Sequence, residues 1–139
     1  MHPKQEHQFK APSHVAGAGA APAAVVSPAP LTGTWNNTNK ATRDIVKIVI
    51  AASGGGISVE AFGACSPTPC DWGSVPGIVY AATVSASKAT AFSAQYKFSF
   101  GQATIAGHLH EGHLLIQTFT QFTDGSGRSN LFTTDQLAK

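Results

Sequence analysis

From Leu31 onward, apolar and polar positions alternate in short runs, and turn residues separate the runs. The clearest run is "AFSAQYKFSF" (91–100): Phe92, Ala94, Tyr96, Phe98 and Phe100 fall on one side, Ser93, Gln95, Lys97 and Ser99 on the other. Successive strand side chains point to opposite faces, so a period of two predicts a strand with one buried face. "ATIAGHLH" (103–110) and "HLLIQTFTQF" (113–122) follow, and Glu111-Gly112 between them predicts a tight hairpin. "DIVKIVI" (44–50) ends in the glycine turn "AASGGG", and "ISVEAF" (57–62) comes after it. With "GTWNNT" (33–38), "IVYAATV" (78–84) and "SNLFTTDQL" (129–137), the chain offers about eight strands at regular spacing. The predicted fold is all-β, a small antiparallel up-and-down β-barrel over residues 31–139.

Residues 1–30 break this rhythm. Prolines at 3, 12, 22, 28 and 30 block a continuous helix or central strand, and the Ala and Gly between them offer little to bury. A disordered Pro/Ala-rich leader is predicted there. An export-signal reading would use Lys4 and Lys10 ahead of "VAGAGAAPAAVV", but that stretch is weakly hydrophobic and holds a proline. His2, His7 and His14 are spaced irregularly and are read as solvated.

Charge narrows the classes of partner. Only 12% of residues are charged, the net charge is +2, and the basic residues are scattered, which gives no footprint for nucleic acid. Apolar runs are interrupted by Gly, Pro or polar residues, so no membrane span is expected.

"CSPTPCDWGS" (65–74) holds both cysteines. A structural zinc site needs four ligands, and one pair with no third cysteine falls short. Thioredoxin-type chemistry needs two intervening residues at a helix start, whereas Cys65 and Cys70 are separated by four residues that include two prolines. Two buried free thiols are a further alternative. A disulfide fits best, and it predicts an extracytoplasmic or secreted location. Trp72, directly after the staple, is a candidate ligand wall, and Asp71 a candidate polar contact or a residue that only shapes the turn.

"LTGTWNN" (31–37) resembles the opening strand of avidin-like barrels, and more loosely of calycins. The resemblance implies that Trp35 plugs one end of the barrel and that Asn37 stands where avidin-like proteins place a biotin-contacting asparagine. The family's binding serine would fall on Ala41, and its later pocket tryptophans have no counterparts, so the resemblance implies the barrel and argues against biotin. Residues 31–135 are also similar to small bacterial proteins that share a Pro-Thr-Pro-Cys-Asp-Trp-Gly loop and a Phe-Thr-Asp-Gly-Ser-Gly-Arg turn, a likeness that brings no activity with it.

Three other features carry chemistry or contacts. With Glu111-Gly112 as the turn, His110 opposes His113, and His108 shares their face; the three are weak metal candidates and better read as solvated. "DGSGR" (124–128) lacks a nucleophile elbow, and an Asp124–Arg128 contact across a glycine turn accounts for it. Ile45 and Val49 share a face with Lys47, and Leu115 and Phe119 share one with His113. If that face is outside, the barrel shows apolar groups to water and a homo-oligomer through these four residues is expected.

These observations point to a non-enzymatic binding module that takes a small ligand or glycan at the barrel mouth through Asn37, Asp71, Trp72 and Tyr80, without a cofactor. The alternative is an assembly subunit that self-associates through its outer strand faces. A barrel-type cyclase or isomerase has the least support, since no histidine–carboxylate pair stands out at inward positions.

Overall fold

The computed structural model describes residues 25–139. Eight strands follow in chain order: β1 (Gly33–Asn37), β2 (Ile45–Ser53), β3 (Gly56–Gly63), β4 (Cys70–Ala81), β5 (Ala89–Phe98), β6 (Gly101–His110), β7 (His113–Phe122) and β8 (Leu131–Ala138). Each pairs antiparallel with the next, and β8 returns to β1 through Asn36–Ala138 and Asn37–Leu137, closing an up-and-down barrel. No helix among the described residues is long and apolar enough to cross a membrane.

The predicted leader lies largely in residues 1–24, outside the described residues. The segment after it is tied to the barrel. Ser27 N–H donates to Ser87 O and Ala89 N–H donates to Ser27 O, each at 2.8 Å. A 3-10 turn, Ala29–Leu31, then delivers Leu31 into the core. The association with the barrel therefore begins by Ser27, ahead of the boundary expected at Leu31.

That end of the barrel is closed. Trp35 is buried there, its Nε1 donating to Leu31 O at 2.9 Å. Below the middle of the barrel the inward rows are solid hydrocarbon: Ile48 and Ile50 on β2, Ile57 and Val59 on β3, Phe92 on β5, Ile105 on β6, Leu114 and Ile116 on β7. Burial of each contributes about 1.5–3 kcal/mol relative to exposure. At the β6–β7 hairpin, Glu111 (φ 51°) and Gly112 (φ 80°) both take the left-handed backbone of a two-residue turn whose twist matches the strands.

Two bulges reset which side chains face inward. In β2, Ile45 pairs with Gly63 but Lys47 pairs with Phe62, so one extra residue sits between them. The bulge turns Ile45 into the core, 2% exposed, while Lys47 stays outside with its Nζ 4.3 Å from the Phe62 ring centre. Ile45 was expected on the outer face with Lys47; strict alternation fails across the bulge. Val49, Leu115 and Phe119 do lie on the outer wall, between inward neighbours.

The second bulge lies in β4, where Glu60 pairs with Ser74 and Phe62 with Asp71, leaving Trp72 and Gly73 opposite Ala61 alone. Gly73 takes φ 85°, a left-handed conformation that a side chain would strain. β4 also starts eight residues before the strand expected at 78. Pro76 and the glycines read as breakers, yet Pro76 pairs only toward β3, beyond the point where β5 joins at Gly77, so its missing N–H breaks no ladder to β5.

Candidate functional site: the open mouth of the barrel

The end opposite Trp35 is open. Its cleft, about 720 Å³, is bounded by the start of β2, the Cys65–Cys70 loop, the end of β5, the end of β7 and the start of β8. The disulfide braces one side, with Cα atoms 5.4 Å apart.

Aromatic rings form an arc around the cleft. The β4 bulge turns Trp72 inward, where it meets Tyr96 edge-on at 5.4 Å and Phe98 edge-on at 5.3 Å. Phe98 stacks on Phe100 at 4.9 Å, and Phe100 leans toward Phe122 at 5.8 Å. Arg128 ends the arc, its guanidinium 4.1 Å from the Phe122 ring centre. It is held by Asp124 Oδ2 at 3.1 Å and Ser126 Oγ at 3.0 Å. Hydrogen bonds from Ser126, with Arg128 adding to them, keep the Asp124 carboxyl below the usual carboxylate range.

Tyr96 fixes the arc from beneath. Its Oη accepts from Ala61 N–H at 3.0 Å and lies 2.8 Å from Gly73 O and 3.0 Å from Val59 O, the carbonyls to which it can donate. Burial raises this phenol above its ordinary pKa, so it stays a neutral donor that clamps the β4 bulge. Gly63 makes room for the indole: a Cβ there would lie 2.8 Å from Trp72 Nε1.

The floor is polar. Thr118 continues the inward row of Leu114 and Ile116, is 4% exposed, and lines the cleft. Its Oγ1 has no hydrogen-bond partner among the described residues. Asp135 lies one layer deeper, inward on β8 beside Ile116. Its Oδ1 accepts from Asn37 Nδ2 at 2.9 Å and Thr42 Oγ1 at 3.2 Å, while buried Oδ2 has no partner among the described residues. Burial pushes the Asp135 carboxyl above the usual range; the Asn37 bond opposes the shift and the nearby Asp44 charge adds to it.

The four residues expected to bind ligand are not brought together. Trp72 and Asp71 line the mouth, and Asn37 and Tyr80 do not. Asp71 stands on the rim, its Oδ1 accepting from Gly73 N–H at 2.8 Å; its contact with Glu60 is the main cause raising the Glu60 carboxyl. Asn37 is fully used within the fold, donating to Ile45 O (2.8 Å) and Asp135 while its Oδ1 accepts from Asn39 N–H (2.8 Å). It clasps the β1–β8 seam and has no donor left for a ligand. Tyr80 points off the outer wall, its Oη 2.8 Å from Ser93 Oγ, because it alternates with inward Val79 on β4.

His108, His110 and His113 lie at the closed end, and His2, His7 and His14 fall outside the described residues. His110 pairs with His113 across the hairpin, and His110 Nε2 is 3.7 Å from Glu111 Oε1. Among the described residues no three His, Cys, Asp or Glu side chains gather as a metal group. Asp135, Thr118, Phe98 and Phe122 were not singled out as site residues. The signal for the two polar residues was parity: Thr118 follows Leu114 and Ile116 on the inward side of β7, and Asp135 precedes Leu137 on that of β8.

A scan against protein-family models and searches of curated proteins and solved structures found no match to this chain.

Proposed function

We propose that this barrel is a non-enzymatic binding module that takes a small ligand or glycan in its open mouth. One observation carries the reading: one half of the interior is packed hydrocarbon, while the other is a cleft of about 720 Å³ walled by Trp72, Phe98, Phe100 and Phe122. Concave, largely apolar sites with a few buried polar groups are where small molecules bind. The disulfide across the mouth fits an oxidising, extracytoplasmic setting. The test is saturation-transfer NMR with mixed small amphiphiles and mono- and disaccharides on the wild type and a Trp72→Ala variant. Binding that disappears with the indole supports the reading; identical profiles in the two proteins overturn it.

A second reading, self-association, is favoured by the outer wall. Phe119 (49% exposed), Leu131 (51%) and Phe132 (54%) form an apolar patch, with the two phenyl rings 5.0 Å apart. Leu115 and Val49 lie on the same outer surface. Light scattering on a Leu115→Thr, Phe119→Thr double variant checks it: a drop from oligomer to monomer with the fold intact supports a homo-oligomer, and a monomeric wild type refutes it.

A further inference from the structure

The two sides of the mouth differ in chemistry, and the strand order sets them against each other. In this closed barrel β8, β1 and β2 stand across from β4, β5 and β6. Trp72 on β4, Phe98 at the end of β5 and Phe100 after it line one side of the cleft. The side across from them carries Thr133 on β8, and Arg43 and Asp44 just before β2, beside the apolar Ile45 and Leu131. One wall therefore offers aromatic rings, and the other adds hydrogen-bond donors and acceptors.

Charge restricts what fits between these walls. Four charged side chains line the cleft, two of each sign: Arg43, Arg128, Asp44 and Asp71. Two are committed to the fold. Arg128 pairs with Asp124, and Asp71 accepts from Gly73 N–H and contacts the Glu60 carboxyl. Arg43 and Asp44 have no side-chain hydrogen bond or ion pair among the described residues; the Asp44 bond to Thr42 is made by its backbone N–H. One free guanidinium and one free carboxylate give no net charge by which to select an ion. A guanidinium only donates and a carboxylate only accepts, so the pair suits a ligand group that does both, as a hydroxyl does. Below Thr118 the inward rows are filled by Ile116, Leu114, Ile48 and Ile50, which leaves no shaft for a long acyl chain.

Resting on the binding reading above, we infer that the ligand class is the neutral pyranose sugar, taken as a mono- or disaccharide. A pyranose has an apolar C–H face and a rim of hydroxyls, the same division as the two walls. Its C–H face lies on the Trp72–Phe98 side, where weakly positive hydrogens meet the negative ring faces. Its hydroxyls turn across the cleft to Arg43, Asp44 and Thr133. The cleft, about 720 Å³, falls within the size range of small-molecule sites.

The test is a set of saturation-transfer titrations at neutral pH. Methyl glucoside, methyl galactoside, methyl mannoside, cellobiose and lactose are compared with cyclohexanol, glucosamine and glucuronate. Cyclohexanol keeps the ring and a single hydroxyl, and hydrogen bonds to charged groups predict that the best neutral sugar binds at least about tenfold tighter. Glucosamine and glucuronate should bind no tighter than methyl glucoside. Arg43→Gln and Asp44→Asn should each weaken the best sugar about tenfold and leave cyclohexanol unchanged. Arg43 is exposed and Asp44 half-buried, so neither substitution opens the core; circular dichroism checks each fold, and if one is lost the other variant decides. Cyclohexanol binding as tightly as every sugar overturns the sugar class. So does a charged sugar that binds tighter than methyl glucoside, or a sugar affinity that both variants leave intact. In each of these cases binding lost with Trp72→Ala leaves the mouth reading standing. If no sugar binds while an amphiphile binds through Trp72, the sugar inference alone falls; if nothing binds through Trp72, the mouth reading falls with it.

Discussion

Gly63→Ala tests how the mouth is built. The new Cβ would stand 2.8 Å from Trp72 Nε1 and 3.4 Å from Cε2, so the indole must swing away from β3. Swinging breaks its edge-on contacts with Tyr96 and Phe98. Aromatic pairs of this geometry contribute about 0.5–1.5 kcal/mol each beyond area burial, so losing both costs about 1–3 kcal/mol. Gly63 has ordinary strand backbone, and alanine there reduces the freedom of the unfolded chain, returning about 0.4–1 kcal/mol. The expected net loss is about 1–2 kcal/mol, read from the midpoint of urea unfolding. Near-ultraviolet circular dichroism should lose the Trp72 signal and the emission should shift to the red, while Trp35 at the closed end stays buried. An unchanged aromatic spectrum with equal or higher stability would refute the placement of the indole against Gly63.

Other substitutions examine the bulge, the buried acid and the staple. Ile45→Ala should cost about 2–5 kcal/mol in denaturant unfolding, as a core truncation does, whereas Val49→Ala on the outer wall should cost well under half as much. Asp135 has a folded pKa raised above its unfolded value, so its stabilising influence is present in acid, below the unfolded pKa, and is lost as pH rises through the folded pKa. Asp135→Asn should therefore match the wild type at low pH and exceed its stability at neutral pH; thermal melts across that range check the sign. Replacing Cys65 and Cys70 with serine should cost at most about 2 kcal/mol, the loop-entropy value for so short a loop, measured by differential scanning calorimetry.

The barrel was legible because its strands keep strict alternation where they matter most. Residues 91–100 show one apolar side, and Glu111-Gly112 has the chemistry of a hairpin turn. What escaped the pattern escaped at the bulges. One extra residue near Val46 reversed the expected side of Ile45, and the pair Trp72-Gly73 turned the indole inward while leaving Asp71 outward. A period-two reading carries no information about an inserted residue until the partner strand is known. The first half of β4 was missed for the same kind of reason, since Gly73, Pro76 and Gly77 signal a turn locally and are overruled by pairing with β3. Asn37 was correctly placed on the first strand, but sequence could not show that its three hydrogen bonds are consumed by the seam between β1 and β8. Thr118 and Asp135 were visible only as polar residues at inward parity, and their isolation from partners is a property of three dimensions.

The most direct test of the mouth as the binding site follows the two indole N–H resonances in a ¹⁵N-labelled protein, assigned with Trp72→Phe. Titration with the tightest compound from the amphiphile and sugar screen should move the Trp72 peak saturably and leave the Trp35 peak in place. Movement of Trp35 with Trp72 unmoved, or saturable binding that shifts neither, would contradict the account.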